Sequence, residues 1–482
     1  MKLYSKNENY KLYHGNMLDM LEVIEPNSID SIITDPPYEL NFMNKGWDNS
    51  GIAFQPDTWK KCYEVLKSGG YLLAFGGSRT FHRIACAIED AGFEIRDTIM
   101  WLYGSGFPKS MNIGLALDKK NGVESKVIGK AIGNINAMPD GRPSRSQIAW
   151  ESTPKEYEIK EATNEWKGWG TALKPSFEPI IVARKPFKGS LVDNVIEHGV
   201  GGINIDECRV GNDELHNSYA GNKNSGFTSA DTRDEKGKGM FAGNKEGQTI
   251  VNGRFPANTI LTYDETDFDE VCGGFPDTKS NGGKIKNKDF ESYSGSMMNN
   301  SNLTKNLTRG QTIYNAPSDS GSASRYFYCA KASKKDRDEG LDDFIPTTDK
   351  AKGNGLDRVC EFCGVSQLTP ELCHCETKSW ITKPKKNTHP TVKPTELMQY
   401  LVRLVTPNNG IVLDPFNGSG STGKAVMYEN KERNKNYKYI GIELTEEYLP
   451  ISKARIEYVC NLEEEELKNM QMTIFDLLEE KQ

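Results

Sequence analysis

The sequence predicts an α/β fold in which one mostly parallel β-sheet is assembled from both ends of the chain. Apolar runs alternate with helical patterns over residues 1–104, which is typical of strands joined by right-handed helical crossovers. The same alternation returns near Pro394 and continues to about residue 460. Between these parts, residues 187–333 are too poor in apolar side chains to build a core of their own. We therefore expect one α/β domain that carries a large loop-rich insertion.

The individual elements follow from their patterning. In the N-terminal part we expect strands at KLYHG, SIDSIITD, YLLAFG and EIRDTIMWLYG, helices at Asp57–Leu66 and FHRIACAIEDAGF, and a further strand at Glu178–Pro186. In the C-terminal part we expect helices at ELMQYLVRLV, STGKAVMYEN and TEEYLPISKARIEYV, with strands at GIVLDPF and YKYIGIEL between them. With 482 residues, of which 36% are hydrophobic, the chain is long enough to bury at least one large core.

Charge and hydropathy narrow the class of protein. The formal net charge is -7, but the segment after Cys460 holds seven acidic residues and two lysines, so the rest of the chain is close to neutral. This balance leaves room for a local basic groove that binds nucleic acid. The N-terminal stretch lacks the apolar run of a signal peptide, and no later run is long enough to cross a bilayer. We therefore expect a cytoplasmic protein that does not bind membranes.

The stretch TDPPY, Thr34–Tyr38, ends the predicted strand SIDSIITD. Two successive prolines lack N–H donors and fix φ, so they stop a buried ladder and place an acid and an aromatic ring on a stiff loop. The Asp35 carboxylate and the Pro36 carbonyl can accept both N–H bonds of an exocyclic amine, which turns the nitrogen lone pair toward an electrophile. The Tyr38 ring can stack on a nucleobase, a contact worth roughly 1–3 kcal/mol. A strand-ending turn with a surface acid is the alternative interpretation.

A glycine-rich loop follows the predicted strand GIVLDPF. Gly418, Gly420 and Gly423 fit the pattern G-x-G-x-x-G at a strand-to-helix turn, and Glu443 follows about 20 residues later at the end of the next strand. This arrangement is typical of a nucleoside site, in which the acid binds the ribose hydroxyls. The dinucleotide site of a dehydrogenase has a similar pattern. A P-loop is disfavoured, because Ala425 stands where the magnesium-binding Ser or Thr would be.

Both motifs end strands of the same predicted sheet, so both are expected at its carboxyl edge, where open α/β sheets bind ligands. Asp35–Tyr38 and Phe416–Gly420 resemble the catalytic and cofactor motifs of the β group of S-adenosylmethionine-dependent DNA amino-methyltransferases, in particular its bacterial and phage branch. In that group the catalytic motif comes first in the chain, as it does here. The segments GWGTALKPSFEPIIVARKP and HPTVKP extend the resemblance, which covers most of residues 10–104 and 165–460.

The resemblance implies a circularly permuted class I (Rossmann-like) methyltransferase sheet, in which the KLYHG strand follows the last helix in space. It implies S-adenosylmethionine as the cofactor, double-stranded DNA as the substrate and methyl transfer to the exocyclic N6 of a flipped-out adenine. The implied catalytic residues are Asp35, Pro36, Pro37 and Tyr38. The implied cofactor contacts are Asn16 at the adenine, Glu443 at the ribose, Asp414 at the amino group, Gly418 and Gly420 along the methionine part, and Thr391 and Lys393 near the carboxylate, together with Phe416 and Asn417 of the cofactor motif.

Other functions remain open at this point. Cytosine N4 transfer belongs to the same class, although Ser usually replaces Asp35 in such enzymes. A DNA-binding protein that keeps the cofactor fold without catalysis is a second alternative, and an RNA methyltransferase is a third. We expect no endonuclease in the same chain. The sequence leaves open the recognition site, the oligomeric state, and whether the protein serves restriction-modification or a phage.

Four cysteines cluster within sixteen residues: Cys360, Cys363, Cys373 and Cys375. Two thiolate pairs are the usual way to hold tetrahedral zinc, so we expect a small zinc-ribbon-like element with a structural zinc ion. His374 or His389 is an alternative for one of the ligands. Unligated thiols are the other interpretation.

The predicted organisation has five parts. They are residues 1–186, the N-terminal part of the methyltransferase domain with the catalytic motif; 187–333, a target-recognition insertion; 334–388, a linker with the cysteine-rich element; 389–460, the C-terminal part with the cofactor motif; and 461–482, an acidic tail. Basic and aromatic residues of the insertion are expected to contact phosphates and bases, although a solvated loop region has similar composition. In the tail, Gln471–Phe475 resembles the short peptide with which many bacterial DNA enzymes bind the replication sliding clamp. A terminal turn packed on the domain is the alternative for that segment.

Overall fold

The computed structural model describes residues 2–40, 46–103, 110–133, 155–216, 250–262, 277–280, 319–322, 328–329, 334–342, 358–360, 375, 380–382 and 386–463. The chain divides into two compact units. The first unit contains Met1–Glu207, Asn258–Tyr263 and Ala330–Gln482, and the second contains Cys208–Ala257 and Asp264–Cys329. Within the described residues, no helix combines the length and the apolar character needed to span a bilayer.

The strands are β1 Lys2–Lys6, β2 Tyr10–His14, β3 Ile29–Thr34, β4 Leu66–Phe75, β5 Glu94–Tyr103, β6 Lys126–Gly133, β7 Lys155–Glu161, β8 Phe177–Arg184, β9 Val210–His216, β10 Ile250–Arg254, β11 Thr259–Thr262, β12 Asp277–Ser280, β13 Asp319–Ser322, β14 Tyr328–Cys329, β15 Arg358–Cys360, β16 Trp380–Thr382, β17 Ile411–Asp414 and β18 Lys438–Glu443. The α-helices are α1 Met17–Leu21, α2 Pro56–Val65, α3 Phe81–Asp90, α4 Ile113–Asn121, α5 Leu191–His198, α6 Lys334–Asp338, α7 Thr395–Val405, α8 Ser421–Arg433 and α9 Leu449–Asn461.

The first unit is built on a mixed sheet whose strands lie in the order β1-β2-β18-β17-β3-β4-β8-β5-β11. The pairs from β2 to β4 are parallel, and β8 runs antiparallel to both of its neighbours. The KLYHG strand β2 pairs with β18, near the other end of the chain, so that Leu12 lies opposite Gly441. Both ends of the chain therefore contribute to one sheet.

Helices cover both faces of this sheet, as its parallel strands β2 to β4 require. On one face, α1, α2 and α3 form a core in which Trp59, Cys62 and Ile84 are fully buried. On the other face, α7 packs on α8 and α8 packs on α9, and α7 also contacts β3 and β4. Strand β3 has no exposed position, because it lies in the middle of the sheet and is covered on both sides.

The strands and helices expected in the two terminal parts are all present, with ends that differ by a few residues. The five-residue helix α1, the antiparallel pair of β6 and β7, and the helix α4 were not expected. Helix α1 is too short to show a helical period, and β6 is separated from its partner β7 by more than twenty residues of sequence. In the second unit, β9 pairs with β10 and β12 pairs with β13, both antiparallel.

Candidate active site at the carboxyl edge of the sheet

The carboxyl ends of β2, β3, β17 and β18 open into one cavity of about 1470 Å³. Most of the predicted site residues line it, namely Asn16, Asp35, Pro36, Pro37, Tyr38, Thr391, Lys393, Phe416 and Glu443. The other four, Asp414, Asn417, Gly418 and Gly420, are not among its lining residues. A single small ligand usually occupies a pocket of roughly 300–1,000 Å³, so this cavity has room for two ligands.

Asp35 lies at the end of β3 and is held by a lysine from the C-terminal part of the chain. The Lys393 Nζ atom donates a hydrogen bond of 2.6 Å to Asp35 Oδ2. The second carboxylate oxygen, Oδ1, is buried and has no hydrogen-bond partner among the described residues. An acceptor in this state is unfavourable in a folded protein unless a ligand or water donates to it.

Lys393 also connects Asp35 to a second acid. Its Nζ lies 3.4 Å from Glu178 Oε2, and it lies 5.3 Å from the centre of the Tyr38 ring and 4.9 Å from that of Phe75. Burial alone lowers the pKa of the Lys393 ammonium, but the carboxylates of Asp35 and Glu178 outweigh burial and leave its pKa above the usual value. The lysine therefore stays charged at neutral pH. Its described contacts are to these acids, whereas the resemblance places it near the cofactor's carboxylate.

Tyr38 is oriented by the same acid, Glu178, on β8. The Tyr38 hydroxyl donates to Glu178 Oε2 at 2.6 Å, and the Tyr103 hydroxyl donates to Oε1 at 3.3 Å. Burial, followed by the charges of Asp35 and Glu178, raises the pKa of Tyr38, so that its hydroxyl remains a donor. Glu178 was not among the predicted site residues. The available signal was an acid at the start of a buried strand, within a segment that extends the family resemblance.

The loop that follows the catalytic motif is fixed by a second pair of acids. Glu39 has a φ of 55°, a conformation that is uncommon for a residue other than glycine. The buried Asp48 carboxylate accepts hydrogen bonds from the backbone N–H groups of Glu39 at 2.9 Å and Leu40 at 3.2 Å. The Glu39 carboxylate in turn accepts from the N–H of Gly51 at 2.8 Å. These bonds stabilise the turn that presents Tyr38 to the cavity.

Asp414, at the end of β17, joins the two motifs. Its Oδ1 accepts from Thr34 Oγ1 at 2.6 Å and from the N–H of Phe416 at 3.1 Å, and its Oδ2 accepts from Thr422 Oγ1 at 2.7 Å. Burial raises the pKa of Asp414 to about 6, and the charge of Asp35 adds to this effect, while the three hydrogen bonds oppose it. Both oxygens have donors from the protein and Asp414 does not line the cavity, so this side chain holds β3 against the glycine loop.

The glycine loop packs closely against a histidine. Gly418 has a φ of 51°, and a Cβ atom there would lie 2.9 Å from His389 Nε2. The N–H of Gly418 donates to Glu443 Oε2 at 2.7 Å, which places the acid of β18 beside the loop.

Asn417 attaches the glycine loop to β18 and α9. Its Oδ1 accepts a hydrogen bond from the Tyr439 hydroxyl at 2.7 Å, and its Nδ2 donates to Ser452 Oγ at 2.9 Å. The side chain is buried among these partners and does not line the cavity. Its part in the cofactor motif is therefore to hold the loop in shape.

His389 forms a wall of the cavity, whereas the sequence left it open as a zinc ligand. Its Nδ1 lies 2.5 Å from the carbonyl oxygen of Thr391, and its ring lies 4.4 Å from that of Tyr448. Burial lowers the pKa of His389 to about 4, and the neighbouring positive charges, Lys393 among them, act in the same direction. The imidazole is therefore neutral at pH 7. This assigns the proton to Nδ1, which donates to Thr391, and leaves Nε2 as an acceptor.

Lys424, which stands at the lysine position of a P-loop pattern, forms buried ion pairs in this structure. It is fully buried, and its Nζ pairs with Asp336 Oδ1 at 2.6 Å and with Glu339 Oε2 at 2.8 Å. Asp336 also accepts from the N–H of Thr395 at 2.7 Å, so α6 is attached to the start of α7. Two carboxylates surround this ammonium, which excludes a phosphate from it in this structure.

The predicted zinc site falls largely outside the described residues. Cys363 and Cys373 are not described, whereas β15 pairs with β16 and places Cys360 opposite Trp380. Among the described residues, no group of three or more His, Cys, Asp or Glu side chains could hold a metal ion. Zinc thus has no support from the described part of the chain and stays a prediction. The segment Gln471–Phe475, predicted to bind the sliding clamp, also lies outside the described residues.

Comparison with known proteins places the chain in a family. A family model named N6_N4_Mtase, described as DNA methylase, matches residues 29–454. The type II methyltransferase M.HindIII of Haemophilus influenzae is 23% identical over 237 residues, which cover 40% of this chain and 64% of that protein. M.HpaI of Haemophilus parainfluenzae is 34% identical over 106 residues, or 21% of this chain and 34% of that protein.

The chain therefore spans less than two thirds of the length of these relatives, 64% and 34% respectively. Among solved structures, it resembles PvuII DNA methyltransferase (cytosine-N4-specific) with a TM-score of 0.38 and 13% identity, covering 98% of this chain and 97% of that chain. Because the family model matches most of its length, from residue 29 to residue 454, the chain belongs to the N6_N4_Mtase family of DNA methylases.

Proposed function

We propose that this protein is an S-adenosylmethionine-dependent DNA methyltransferase that acts on the exocyclic N6 of a flipped-out adenine. The observation that carries the proposal is the Asp35 carboxylate. Its Oδ2 is fixed by Lys393, while its buried Oδ1 has no partner in the described residues and belongs to a side chain that lines a cavity with room for two ligands. An amine hydrogen of a nucleobase would satisfy this acceptor.

The residues of the cavity fit the cofactor that the family resemblance implies. Glu443 offers a carboxylate at the end of β18, Asn16 offers an amide just after β2, and Phe416 offers an apolar wall. S-adenosylmethionine, when bound, supplies an electrophilic methyl group. The family match and these side chains support this cofactor.

The task of the chain is then to position the amine. Asp35 Oδ1 and the Pro36 carbonyl accept its two hydrogens, which directs the nitrogen lone pair away from the ring and toward the methyl group. Lys393 prevents rotation of the Asp35 carboxylate by holding Oδ2 at 2.6 Å. Tyr38, oriented by Glu178, stacks on the base. A base inside a duplex cannot enter the cavity, so it must flip out of the helix.

Adenine is proposed because the motif Asp35–Tyr38 reads DPPY, the form that the family resemblance associates with N6 transfer. Cytosine N4 transfer is the alternative within the family, whose model covers both chemistries by name. The non-catalytic alternative gives no role to the buried Asp35 Oδ1, which has no partner among the described residues. The circularly permuted sheet is part of the proposal, and the pairing of β2 with β18 supports it.

Further parts of the proposal concern residues outside the catalytic cavity. We assign target recognition to residues 187–333, a structural zinc ion to Cys360, Cys363, Cys373 and Cys375, and sliding-clamp binding to Gln471–Phe475, with the protein acting in the bacterial cytoplasm. Metal analysis of the purified protein tests the zinc site, with about one zinc per chain expected if the cluster is closed. A pull-down with and without residues 471–482 tests clamp binding.

The function is tested by single-molecule sequencing of DNA from cells that express the protein or its Asp35→Ala variant. The proposal predicts methylated adenines at one short sequence with the wild type and none with the variant. Methylated cytosines in place of adenines would select the N4 alternative. No modified base with a protein that is folded and binds the cofactor would overturn the proposal.

A further inference from the structure

Large apolar side chains are exposed on residues 166–173, a segment whose last residue lines the catalytic cavity. Leu173 is 93% exposed and also lines the cavity, five residues before Glu178. Just before it in the chain, Trp169 is 59% exposed and Trp166 is 40% exposed, and their rings lie 5.1 Å apart. Scattered exposed leucines are normal, but a group of apolar side chains beside a functional cavity marks a surface that another molecule contacts.

The segment that carries Leu173 is tied to the residues before α4. Ser110 Oγ accepts hydrogen bonds from the N–H groups of Thr171 at 3.0 Å and Ala172 at 3.3 Å, and the N–H of Met111 donates to Thr171 Oγ1 at 2.9 Å. These three bonds fix the backbone immediately before Leu173. The backbone therefore holds Leu173 in its exposed position.

A buried acid stabilises the segment that leads to the two tryptophans. The Asp118 carboxylate of α4 accepts from the N–H of Thr163 at 2.9 Å and from Asn164 Nδ2 at 2.7 Å. The same Asn164 amide donates to the carbonyl of Gly114 at 2.9 Å, and its Oδ1 accepts from the N–H of Trp166 at 3.0 Å. Helix α4 and the segment after β7 therefore form one platform, which carries the exposed Trp166, Trp169 and Leu173.

We infer that Leu173 is a wedge that enters the DNA duplex and fills the space left by the flipped base. This inference rests on the proposed function. Extracting a base from a duplex costs a few kcal/mol of stacking and pairing, and proteins that distort DNA insert apolar side chains between base steps to offset that cost. Leu173 has the required position, since it lies at the cavity that receives the base and exposes nearly its whole side chain.

A second exposed leucine at the cavity differs in its surroundings. Leu444 is exposed and lines the cavity, but it follows Glu443 directly, at the end of β18 where the ribose of the cofactor is proposed to bind. Leu173 instead precedes Glu178, the acid that orients Tyr38. We therefore assign Leu444 to the cofactor side of the cavity and Leu173 to the base side, so that of these two leucines Leu173 is the one suited to contact the duplex around the target base.

The experiment measures single-turnover methyl transfer by the full-length protein to three oligonucleotides that carry the sequence found in cells. In the first the target adenine is paired, in the second it is mismatched, and in the third the DNA is single-stranded. A mismatched or unpaired base flips at lower cost. We expect Leu173→Ala to slow transfer to the paired duplex by about tenfold or more, and to recover to within about threefold of the wild type on the other two substrates.

Two variants serve as controls. Val23→Ala removes an apolar side chain that is 56% exposed and lies outside the cavity, and it should behave as the wild type on all three substrates. Leu173→Met keeps an apolar wedge and should retain most of the activity on the paired duplex. An equal loss for Leu173→Ala on all three substrates, or no loss on any, overturns the inference. If the wild type methylates none of the three, the proposed function fails and this inference fails with it.

Discussion

Lys393 Nζ lies 2.6 Å from Asp35 Oδ2 and leaves Asp35 Oδ1 buried without a partner among the described residues. The lysine is close enough to fix the carboxylate, and it occupies one oxygen only. A carboxylate with one oxygen fixed by the protein and the other unpaired is suited to accept from a donor of defined direction. The two residues come from the N-terminal and C-terminal parts of the chain, so the site exists only when both parts of the sheet are assembled.

Replacing Asp35 by Asn should abolish most of the activity without loss of the fold. The amide keeps the size of the side chain but turns one acceptor into a donor, which conflicts either with Lys393 or with the substrate amine. We expect kcat to fall by about 10²-fold or more, with the KM of the cofactor changing by much less. Steady-state kinetics on the methylated sequence measures both. A kcat within a few-fold of the wild type would contradict the role of Asp35.

Removing Lys393 should destabilise the protein as well as slow it. Breaking a buried ion pair by deleting one partner costs roughly 3–5 kcal/mol, because the other charge remains buried. Lys393→Met is therefore expected to lower Tm clearly, and Asp35→Asn in the same chain should restore much of the Tm but not the activity. Lys67→Met is the matched control, since Lys67 pairs with Asp30 at 2.6 Å outside the cavity. Equal effects of the two lysine substitutions on activity would contradict a specific role of Lys393.

Glu178→Gln tests whether the acid orients Tyr38. The amide keeps one acceptor for the Tyr38 hydroxyl but removes the charge that faces Lys393. We expect weaker stacking of the base, seen as a higher KM for DNA and a larger fluorescence of a flipped 2-aminopurine target, because the Tyr38 ring quenches it less. Tyr103→Phe removes only the 3.3 Å bond to the same carboxylate and should have a smaller effect. An unchanged fluorescence signal in Glu178→Gln would exclude this role.

The raised pKa of Asp414 predicts a pH-dependent stability. The pKa of Asp414 in the folded protein is about 6, above its ordinary value of 3.8. The contribution of the protonated carboxyl to the free energy of unfolding is therefore fully present below pH 3.8 and is lost as the pH rises through 6. Asp414→Asn does not titrate at this position. The free energy of unfolding of the variant minus that of the wild type should therefore increase between pH 4 and pH 7, by about 3 kcal/mol for a pKa shift of this size. Denaturation midpoints measured across this range test the prediction, and parallel pH curves for the two proteins would contradict it.

Lys424→Met separates the structural role of this lysine from a P-loop role. The substitution removes the buried ammonium between Asp336 and Glu339, and of these two acids Asp336 keeps only the more distant Arg455, at 3.8 Å, so Tm should fall clearly. Methyl transfer at a temperature where the variant is folded should need no nucleoside triphosphate, as in the wild type. A stimulation of the wild type by ATP that the variant lacks would show that Lys424 binds phosphate after all.

The parts of the fold that could be predicted from the sequence are those with strong local patterning. Strand β3 and the prolines that end it are adjacent in the chain, and so are β17 and the glycine loop, so the sequence alone predicts both motifs at one edge of the sheet. Glu178 and the ion pair between Lys393 and Asp35 could not be predicted, because they depend on where β8 inserts between β4 and β5 and on which side chain meets Asp35 across the cavity.

The roles of individual residues at the cofactor side were harder to predict than their location. Asp414 and Asn417 stand in the motif, yet their side chains bond inside the protein, to Thr34, Thr422, Tyr439 and Ser452. Buried polar groups must be satisfied, and some motif residues therefore stabilise the loop that carries the binding residues. Sequence spacing reports the position of such a residue but not the direction of its side chain.

The most direct test of the central claim uses purified protein, S-adenosylmethionine with a labelled methyl group, and DNA that contains the recognised sequence. After the reaction the DNA is digested to nucleosides and the labelled nucleoside is identified by mass spectrometry. We expect label in N6-methyladenine with the wild type, formed about 10²-fold or more slowly with Asp35→Asn. Label in N4-methylcytosine, or label that forms in the Asp35→Asn sample within a few-fold of the wild-type rate, would contradict the proposed function.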